Sequence, residues 1–236
     1  VANGLPNAIS VIVVAGRQSL MPVPTFYMRK LAVGPQARDY IDINAPTREN
    51  LRVVAAAMGK KVKDLTVVIL NRPRHEELIR EVREAGARIK LIQDGDVSAA
   101  ISTALPDTGV DLLMGIGGAP EAVLSAAALK CLGGEIQTQM WVRDADDEAR
   151  AMAAGFERLS QVFCSEDLVK GNNIVFCATG ITDGDMLKGV RFHGQRAETD
   201  SIVMRARTGT VRRIRTTHDL SKKTLRSFKA GQEMPL

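Results

Sequence analysis

The sequence predicts an α/β protein, and three observations support this fold class. The chain has 236 residues, of which 45% are apolar and 25% charged, a globular composition that allows one sizeable core or two small ones. Short apolar runs rich in β-branched residues alternate with segments in which apolar residues recur at helical spacing. Short loops join these segments, which favours a largely parallel sheet covered by helices, with ligands at the carboxyl ends of its strands.

Residues 1–135 carry most of this alternation. The apolar runs at 8–15 and 26–33 predict two strands, and an amphipathic helix is predicted from Pro46 to Gly59. Two strand and helix units follow, with strands predicted at 65–70, 88–92 and 110–114, and helices predicted after Pro73, at 97–104 and at 119–132.

The last third of the chain has a different pattern. Strands are predicted at 134–142 and 173–181, a charged helix at 144–159, and a β-hairpin at 202–217 that turns at Thr208 and Gly209. Neither a repeat nor a low-complexity linker forces a domain boundary, so the sequence indicates at most a subdivision near 60–135 and 173–236.

The composition narrows the class of protein. Charged residues interrupt every hydrophobic stretch before the roughly 18 residues needed to cross a bilayer, which predicts a soluble protein without membrane contact. The chain starts at Val1 without a signal-peptide pattern, so we expect it to begin within a longer protein. Three cysteines without metal-ligand spacing predict neither a disulfide framework nor a zinc site, and favour a reducing, cytoplasmic compartment.

The positive charge is concentrated near the end of the chain. Residues 201–236 hold nine Lys or Arg against Asp219 and Glu233, within a chain of net charge +5. Aromatic residues make up only 4% of the chain and do not alternate with the arginines, so binding of nucleic acid by this tail is not favoured. An oligomer interface is the preferred interpretation, because an isolated hairpin is marginally stable.

Three predicted strand-to-helix corners carry the residues with chemical potential: "NRPRH" at 71–75, "DGD" at 94–96 and "GIGGAPE" at 115–121. The carboxyl ends of parallel strands meet at one edge of a sheet, and each following helix offers free N–H groups there. We therefore expect the corners to form one ligand site, suited to a phosphate or to sugar hydroxyls.

The first two corners each have a structural alternative. Arg72 and Arg74 flank Pro73 and could grip a phosphate bidentately, or could simply lie exposed at a helix start. Asp94 and Asp96 flank Gly95 and could accept hydrogen bonds from sugar hydroxyls, or one of them could cap the next helix.

The third corner is rich in glycine. It fits neither the dinucleotide fingerprint nor the phosphate-binding loop, which leaves a close-approach turn at Gly115, Gly117 and Gly118. Glu121 could then be an oxygen ligand to Mg²⁺ or Mn²⁺, or a first-turn residue that complements the helix dipole.

A tyrosine and three histidines are the remaining candidates for a functional role. Tyr27 could present its hydroxyl to a phosphate, although a half-buried strand tyrosine is common. The sequence lacks the G-x-S-x-G pattern of a nucleophile elbow, and the histidines are predicted to be structural or exposed: His75, His193 and His218.

Several blocks together resemble the class II fructose-1,6-bisphosphatases. They match in order and spacing over nearly the whole chain: "YMRKLAVGP", "RPRHEELIREVREAGARIKLIQDGDV", "DLLMGIGGAPEAVLSAAALKCLGGEIQ", "NIVFCATGITDGDML" and "TVRRIRTTHDL". The second and third blocks are most similar to the dual fructose-1,6-/sedoheptulose-1,7-bisphosphatases of photosynthetic carbon fixation.

The resemblance implies a layered α/β sandwich of the inositol monophosphatase-like type, with mixed sheets covered by helices. It further implies Mg²⁺- or Mn²⁺-dependent hydrolysis of the 1-phosphate of fructose 1,6-bisphosphate or sedoheptulose 1,7-bisphosphate, in gluconeogenesis or the Calvin cycle. For the oligomer predicted from the basic tail, a homodimer and a homotetramer both stay open. Glu121 matches a metal ligand of the family, and these residues match substrate contacts: Tyr27, Arg72, Pro73, Arg74, Asp94, Gly95, Asp96 and Gly118.

The chain also departs from the family pattern. The family places most metal carboxylates and an acidic "DPxEGT" loop upstream of the block that matches the start of this chain, so catalytic residues are expected upstream of Val1. Residue 122 is Ala where Gly is common, and the segment 141–172 is shorter than in many relatives. We expect this chain alone to be inactive or nearly so, and a non-catalytic sugar-phosphate-binding or assembly module is the alternative.

Overall fold

The strands form two sheets in a computed structural model, which describes residues 4–23, 26–156 and 158–222. The strands are β1 (Ile9–Ala15), β2 (Tyr27–Val33), β3 (Thr66–Leu70), β4 (Arg88–Ile92), β5 (Leu112–Gly118), β6 (Glu135–Trp141), β7 (Val162–Phe163), β8 (Ile174–Gly180), β9 (Arg191–His193), β10 (Arg196–Arg205) and β11 (Thr210–Asp219). The α-helices of the described residues are α1 (Thr47–Ala57), α2 (Glu76–Glu84), α3 (Asp96–Ser102), α4 (Ala119–Leu132), α5 (Ala145–Ala153) and α6 (Ser165–Leu168).

The larger sheet has six strands in the order β4-β3-β5-β2-β6-β7. Strand β3 runs parallel to β4 and β5, as the strand and helix units predict. The prediction of a largely parallel sheet is wrong, because β2 lies antiparallel between β5 and β6, and β7 is antiparallel as well. Strand β2 is far from β5 in sequence, so only tertiary pairing could reveal its place.

The smaller sheet is antiparallel throughout, in the order β1-β8-β10-β11 with β9 beside β10. The predicted hairpin is confirmed and is longer than expected, with Arg196 paired to Asp219 at its open end. Its two strands are joined by a short 3₁₀ turn at Ala206–Thr208 and by Gly209 at a positive φ of 59°. Residues 223–236 of the predicted basic tail lie outside the described residues.

Four layers follow from the burial pattern. Side chains alternate along β2, so that Met28 and Ala32 pack in one core and Leu31 and Val33 pack in the other. The second core holds the apolar faces of α1 and α2. The first core fills the space between the two sheets, where α3 and α4 lie, and α4 contacts strands of both sheets. The layered α/β sandwich with mixed sheets is therefore confirmed.

Local corrections concern the ends of elements. The charged helix predicted at 144–159 ends at Ala153, and Gly155 follows it at a positive φ of 92°. Asp144 caps this helix by accepting from the backbone N–H of Asp147 at 2.8 Å.

Within the described ranges, the helices are all too short or too polar to cross a membrane.

Candidate functional site

A cavity of about 610 Å³ lies where the carboxyl ends of β3, β4 and β5 approach the start of β1. All three predicted corners contribute to its wall, together with the chain segment that leads into β1. The predicted residues that line it are Tyr27, Arg72, Arg74, Asp94, Gly95, Asp96, Gly118 and Glu121. Pro73 does not line the cavity and instead begins a short 3₁₀ turn, Pro73–His75, that precedes α2.

The first two corners are joined by an ion pair. Nη2 of Arg72 lies 2.8 Å from Oδ1 of Asp94, and Nη1 also donates to the carbonyl of Asn71 at 3.0 Å. The Arg72 and Asp94 side chains are 34% and 67% exposed, so the pair is accessible from solvent. An exposed pair of this kind contributes about 0–1 kcal/mol, which leaves both groups free to exchange partners with a ligand.

Arg74 is held differently, and the interpretation of a solvated helix start is wrong for it. Its Nη2 donates to the carbonyl of Ile116 at 3.0 Å, and its guanidinium carbon lies 5.0 Å from the centre of the Tyr27 ring. That ring packs edge-on against Trp141, with 6.1 Å between centroids. The arrangement orients a cation and a phenol side by side at the wall of the cavity.

Tyr27 is 39% exposed, and its hydroxyl makes no hydrogen bond with the described part of the chain. Within the described residues, Tyr27 is therefore not a strand tyrosine whose hydroxyl already has a hydrogen-bond partner. Its position as the first residue of β2, opposite Gly118 of β5, brings it to the cavity.

The "DGD" corner does not use either carboxylate as a helix cap, contrary to that alternative. Gly95 occupies the N-cap position of α3 with φ +88°, and no side chain caps the helix. A Cβ atom at position 95 would lie 3.2 Å from the carbonyl oxygen of Asn7, because the segment before β1 crosses the corner closely. Gly95 therefore satisfies two constraints, a left-handed backbone and a close approach.

Asp96 turns inward rather than toward solvent. Its Oδ2 accepts from Nζ of Lys30 at 2.6 Å, and the two side chains are 11% and 2% exposed. A Cβ atom at Gly117 would overlap the Asp96 carboxylate and lie 3.0 Å from Lys30 Nζ. The glycine is therefore required by the ion pair beneath it.

The glycines of the third corner belong to a strand, so the predicted glycine turn is wrong. Strand β5 continues through Gly118, and Ala119 begins α4 directly. Glycine favours turns in a sequence, but here it removes side chains that would collide with neighbours: His75 at Gly115, Asp96 at Gly117 and Glu121 at Gly118.

Glu121 lies in the first turn of α4 with its carboxylate folded back over Gly118. It lines the cavity. Proteins commonly hold Mg²⁺ with one or two carboxylates together with substrate phosphates. Among the residues that the structure describes, however, no group of three or more His, Cys, Asp or Glu could hold a metal ion. The carboxylates of the described residues therefore do not complete a metal site by themselves.

His75 is structural, as predicted. It is buried, with Nδ1 2.7 Å from the carbonyl of Leu70 and Nε2 2.7 Å from the backbone nitrogen of Ile116. Because Nε2 must accept from that N–H, the ring is neutral and carries its proton on Nδ1. Burial lowers the pKa of His75, and the hydrogen bonds fix the first corner to β5.

Sequence reasoning missed Lys30 and the segment at residues 5–11. Lys30 lies in an apolar strand at the same parity as Met28 and Ala32, a signal of a buried charge that needs a partner. The segment at 5–11 gave no such signal, because its contribution depends on the pairing of β1 with β8 across the molecule.

Comparison with known proteins gives the same family from two directions. The family described as "Bacterial fructose-1,6-bisphosphatase, glpX-encoded" matches residues 1–218. A Haemophilus influenzae protein named fructose-1,6-bisphosphatase class 2 is 42% identical over 231 residues, which cover 93% of the chain and 69% of that relative. The chain belongs to the class II fructose-1,6-bisphosphatase family.

Two relatives of this class II chain, both from Synechococcus, carry a dual name. Each is called D-fructose 1,6-bisphosphatase class 2/sedoheptulose 1,7-bisphosphatase and is 41% identical over 230 residues. The match covers 92% of the chain and 66% of each of these two relatives. The chain thus spans about two thirds of the length of these three relatives.

Proposed function

We propose that this chain provides the sugar-phosphate pocket of a class II phosphatase that removes the 1-phosphate from fructose 1,6-bisphosphate. The observation that carries the proposal is the convergence of three corners on one cavity, with a cationic wall at Arg72 and Arg74 and an acidic wall at Asp94 and Asp96. Guanidinium groups suit a phosphate, and ionised carboxylates accept from sugar hydroxyls.

The two walls divide the recognition of the substrate. Arg74 and Tyr27 are held together and present fixed donors, which suits the phosphate distant from the reacting bond. Asp94 can exchange its partner Arg72 for ligand groups. Substrate binding would then separate this ion pair, with Arg72 binding a phosphate and Asp94 accepting from sugar hydroxyls.

Class II fructose-1,6-bisphosphatases are metal-dependent. We assign Glu121 as the residue of this chain that would contribute an oxygen to Mg²⁺ or Mn²⁺ beside the reacting phosphate. Hydrolysis assisted by such a cation also requires further oxygen ligands and a placed water. Because the described residues supply only Glu121, we expect substrate binding by this chain with little or no turnover.

Two measurements test this assignment. One is the release of inorganic phosphate from fructose 1,6-bisphosphate with Mg²⁺ or Mn²⁺ present, and the other is direct measurement of substrate binding. We expect saturable binding and phosphate release far below that of a full-length relative. Absence of binding would contradict the proposed pocket. Turnover by the verified 236-residue chain close to that of a full-length relative would contradict the expectation that Glu121 is the only metal ligand among the described residues.

Sedoheptulose 1,7-bisphosphate is the second candidate substrate, because two relatives carry its name. It exceeds fructose 1,6-bisphosphate by one carbon, so the two compounds differ in the distance between their phosphates. Parallel binding titrations with both bisphosphates distinguish a dual pocket, which binds them within about tenfold (about 1.4 kcal/mol), from a pocket that accepts one.

We further propose that the chain forms a dimer or tetramer through the basic hairpin of β10 and β11. Ile214, an apolar side chain of β11 that is 40% exposed on the face opposite to the buried Met204, supports that surface. Light scattering coupled to size-exclusion chromatography would measure the mass. A lower mass for the variant Ile214→Lys is the expected result, and an unchanged oligomer would place the interface elsewhere.

A further inference from the structure

We propose that Lys30 is a positioning residue, which fixes the Asp96 carboxylate so that the pocket recognises a sugar rather than phosphate alone. The inference rests on the proposed function, since it assigns Asp96 to the sugar hydroxyls. Lys30 itself does not line the main cavity, and it acts through Asp96.

The position of Lys30 follows from the alternation of β2. Its side chain points to the same side of the sheet as Met28 and Ala32, into a region where an isolated charge would be costly. Asp96 lies at the start of α3 on that side and accepts from the ammonium group at 2.6 Å. The pair therefore fixes the first turn of α3 to the middle of the six-stranded sheet.

The contact determines where the Asp96 carboxylate can point. Only Oδ2 is engaged by Lys30, and within the described residues Oδ1 has no hydrogen-bond partner. A carboxylate held through one oxygen offers the other as an oriented acceptor. A freely rotating carboxylate would lose conformational entropy on binding a hydroxyl, so fixing it in advance strengthens sugar recognition.

A substitution at Gly117 tests the contact between Lys30 and Asp96 independently. A side chain there would overlap the Asp96 carboxylate and approach Lys30 Nζ to 3.0 Å. Gly117→Ala should therefore displace the carboxylate while leaving the charge of Lys30 in place. Two substitutions of different chemistry are thus expected to have the same effect on the ligand.

A control ion pair lies at the opposite end of the parallel strands, although its lysine, Lys60, is 40% exposed and Lys30 only 2%. Nζ of Lys60 lies 2.6 Å from Oδ1 of Asp111, and Oδ2 of Asp111 accepts from the backbone N–H of Thr66 at 2.8 Å. This pair precedes β3 and β5, whereas the cavity lies at their carboxyl ends. Lys60→Met removes an ion pair of equal length without touching the pocket.

Calorimetric titration of the 236-residue chain with fructose 1,6-bisphosphate and, separately, with inorganic phosphate tests the proposal. We expect Lys30→Met and Gly117→Ala each to weaken binding of the bisphosphate at least tenfold and to change phosphate binding less than twofold. Lys60→Met should lower the melting temperature and leave both affinities within twofold of wild type.

The outcomes separate this inference from the proposed function. A wild-type chain that binds neither ligand overturns both. A wild-type chain that binds the bisphosphate, with Lys30→Met and Gly117→Ala binding it equally well, overturns only the positioning role. Equal losses for the bisphosphate and for phosphate would also overturn it, because they indicate general damage to the pocket. If Lys30→Met does not fold, Gly117→Ala alone decides by the same criteria.

Discussion

Nε2 of His75 accepts a hydrogen bond from the backbone N–H of Ile116 at 2.7 Å, and this contact holds the corner at residues 71–75 against β5. On its other side, Nδ1 donates to the carbonyl of Leu70 at 2.7 Å. Both ring nitrogens are therefore committed to the backbone of two adjacent parallel strands. The contact requires a neutral ring, because a protonated imidazole has no acceptor for Ile116.

The His75 contacts predict a loss of stability in acid. Burial lowers the pKa of His75 below its ordinary value of 6.5, so the unfolded chain binds a proton that the folded chain resists. The contribution of the neutral ring is fully present above pH 6.5 and is lost as the pH falls through the lowered pKa of the folded state. Urea unfolding between pH 7.5 and 5.0 would measure the decline.

Substitution separates His75 from other acid effects. His75→Gln should be less stable than wild type at pH 7.5 and should show a smaller loss between pH 7.5 and 5.0. His193→Gln is the matched control, since His193 is exposed in the short edge strand β9. Equal acid sensitivity of wild type and His75→Gln would contradict the role assigned to the buried ring.

Gly95→Ala should destabilise the chain and distort the pocket. Gly95 and Gly86 have nearly equal positive φ values, 88° and 86°, so alanine at either position costs about 1–2 kcal/mol of backbone strain. Only position 95 adds a close contact, 3.2 Å to the carbonyl oxygen of Asn7, whereas a Cβ at 86 meets open space. We expect Gly95→Ala to lower the free energy of unfolding by about 1–3 kcal/mol more than Gly86→Ala does.

Denaturant unfolding of the two glycine variants, with fructose 1,6-bisphosphate binding measured on each, tests this comparison. Gly86→Ala should bind the bisphosphate as wild type does, because it lies outside the cavity. Equal stabilities of the two variants would mean that the segment before β1 does not press on the corner.

Arg74→Met should weaken binding of fructose 1,6-bisphosphate. A hydrogen bond to a charged group contributes about 1.5–3 kcal/mol, which corresponds to a loss of about 10- to 100-fold in affinity. Arg80→Met is the control, since Arg80 is 64% exposed on α2 and pairs with Glu77, which is 66% exposed. Calorimetry should show unchanged affinity for the control, and equal affinity of both variants would remove Arg74 from the site.

Glu121→Gln should abolish any increase in bisphosphate affinity caused by Mg²⁺ or Mn²⁺. The amide keeps the size of the side chain but removes the negative charge that a hard cation prefers. Titrations with Mg²⁺ and with a chelator should differ for wild type and coincide for Glu121→Gln. Glu84→Gln, at the exposed end of α2, should behave as wild type. A metal effect that survives Glu121→Gln would place the cation elsewhere.

Much of the fold could be predicted from local pattern. The helix Thr47–Ala57, which Gly59 follows, and the strands at 66–70 and 88–92 can be predicted from periodicity and from glycines that adopt a positive φ. The convergence of the three corners also follows, because β4, β3 and β5 are parallel and sequential units place their ends together.

The remaining features depend on contacts distant in sequence. Gly115, Gly117 and Gly118 suggest a turn when read alone, and only the neighbours beneath each glycine explain why β5 continues through them. The insertion of β2 beside β5 is likewise a tertiary choice. The pair formed by Lys30 and Asp96 spans 66 positions, so neither charge reveals its partner in the sequence.

The amide spectrum of ¹⁵N-labelled chain during titration with fructose 1,6-bisphosphate tests the pocket most directly. Glycine amides mark each region, since Gly95, Gly117 and Gly118 line the cavity whereas Gly59 and Gly209 lie away from it. We predict saturable shifts of the first three amides and little change in the other two. Shifts confined to Gly209 and its hairpin, or no shifts at Gly95 and Gly118, would contradict the assignment of this cavity to the sugar bisphosphate.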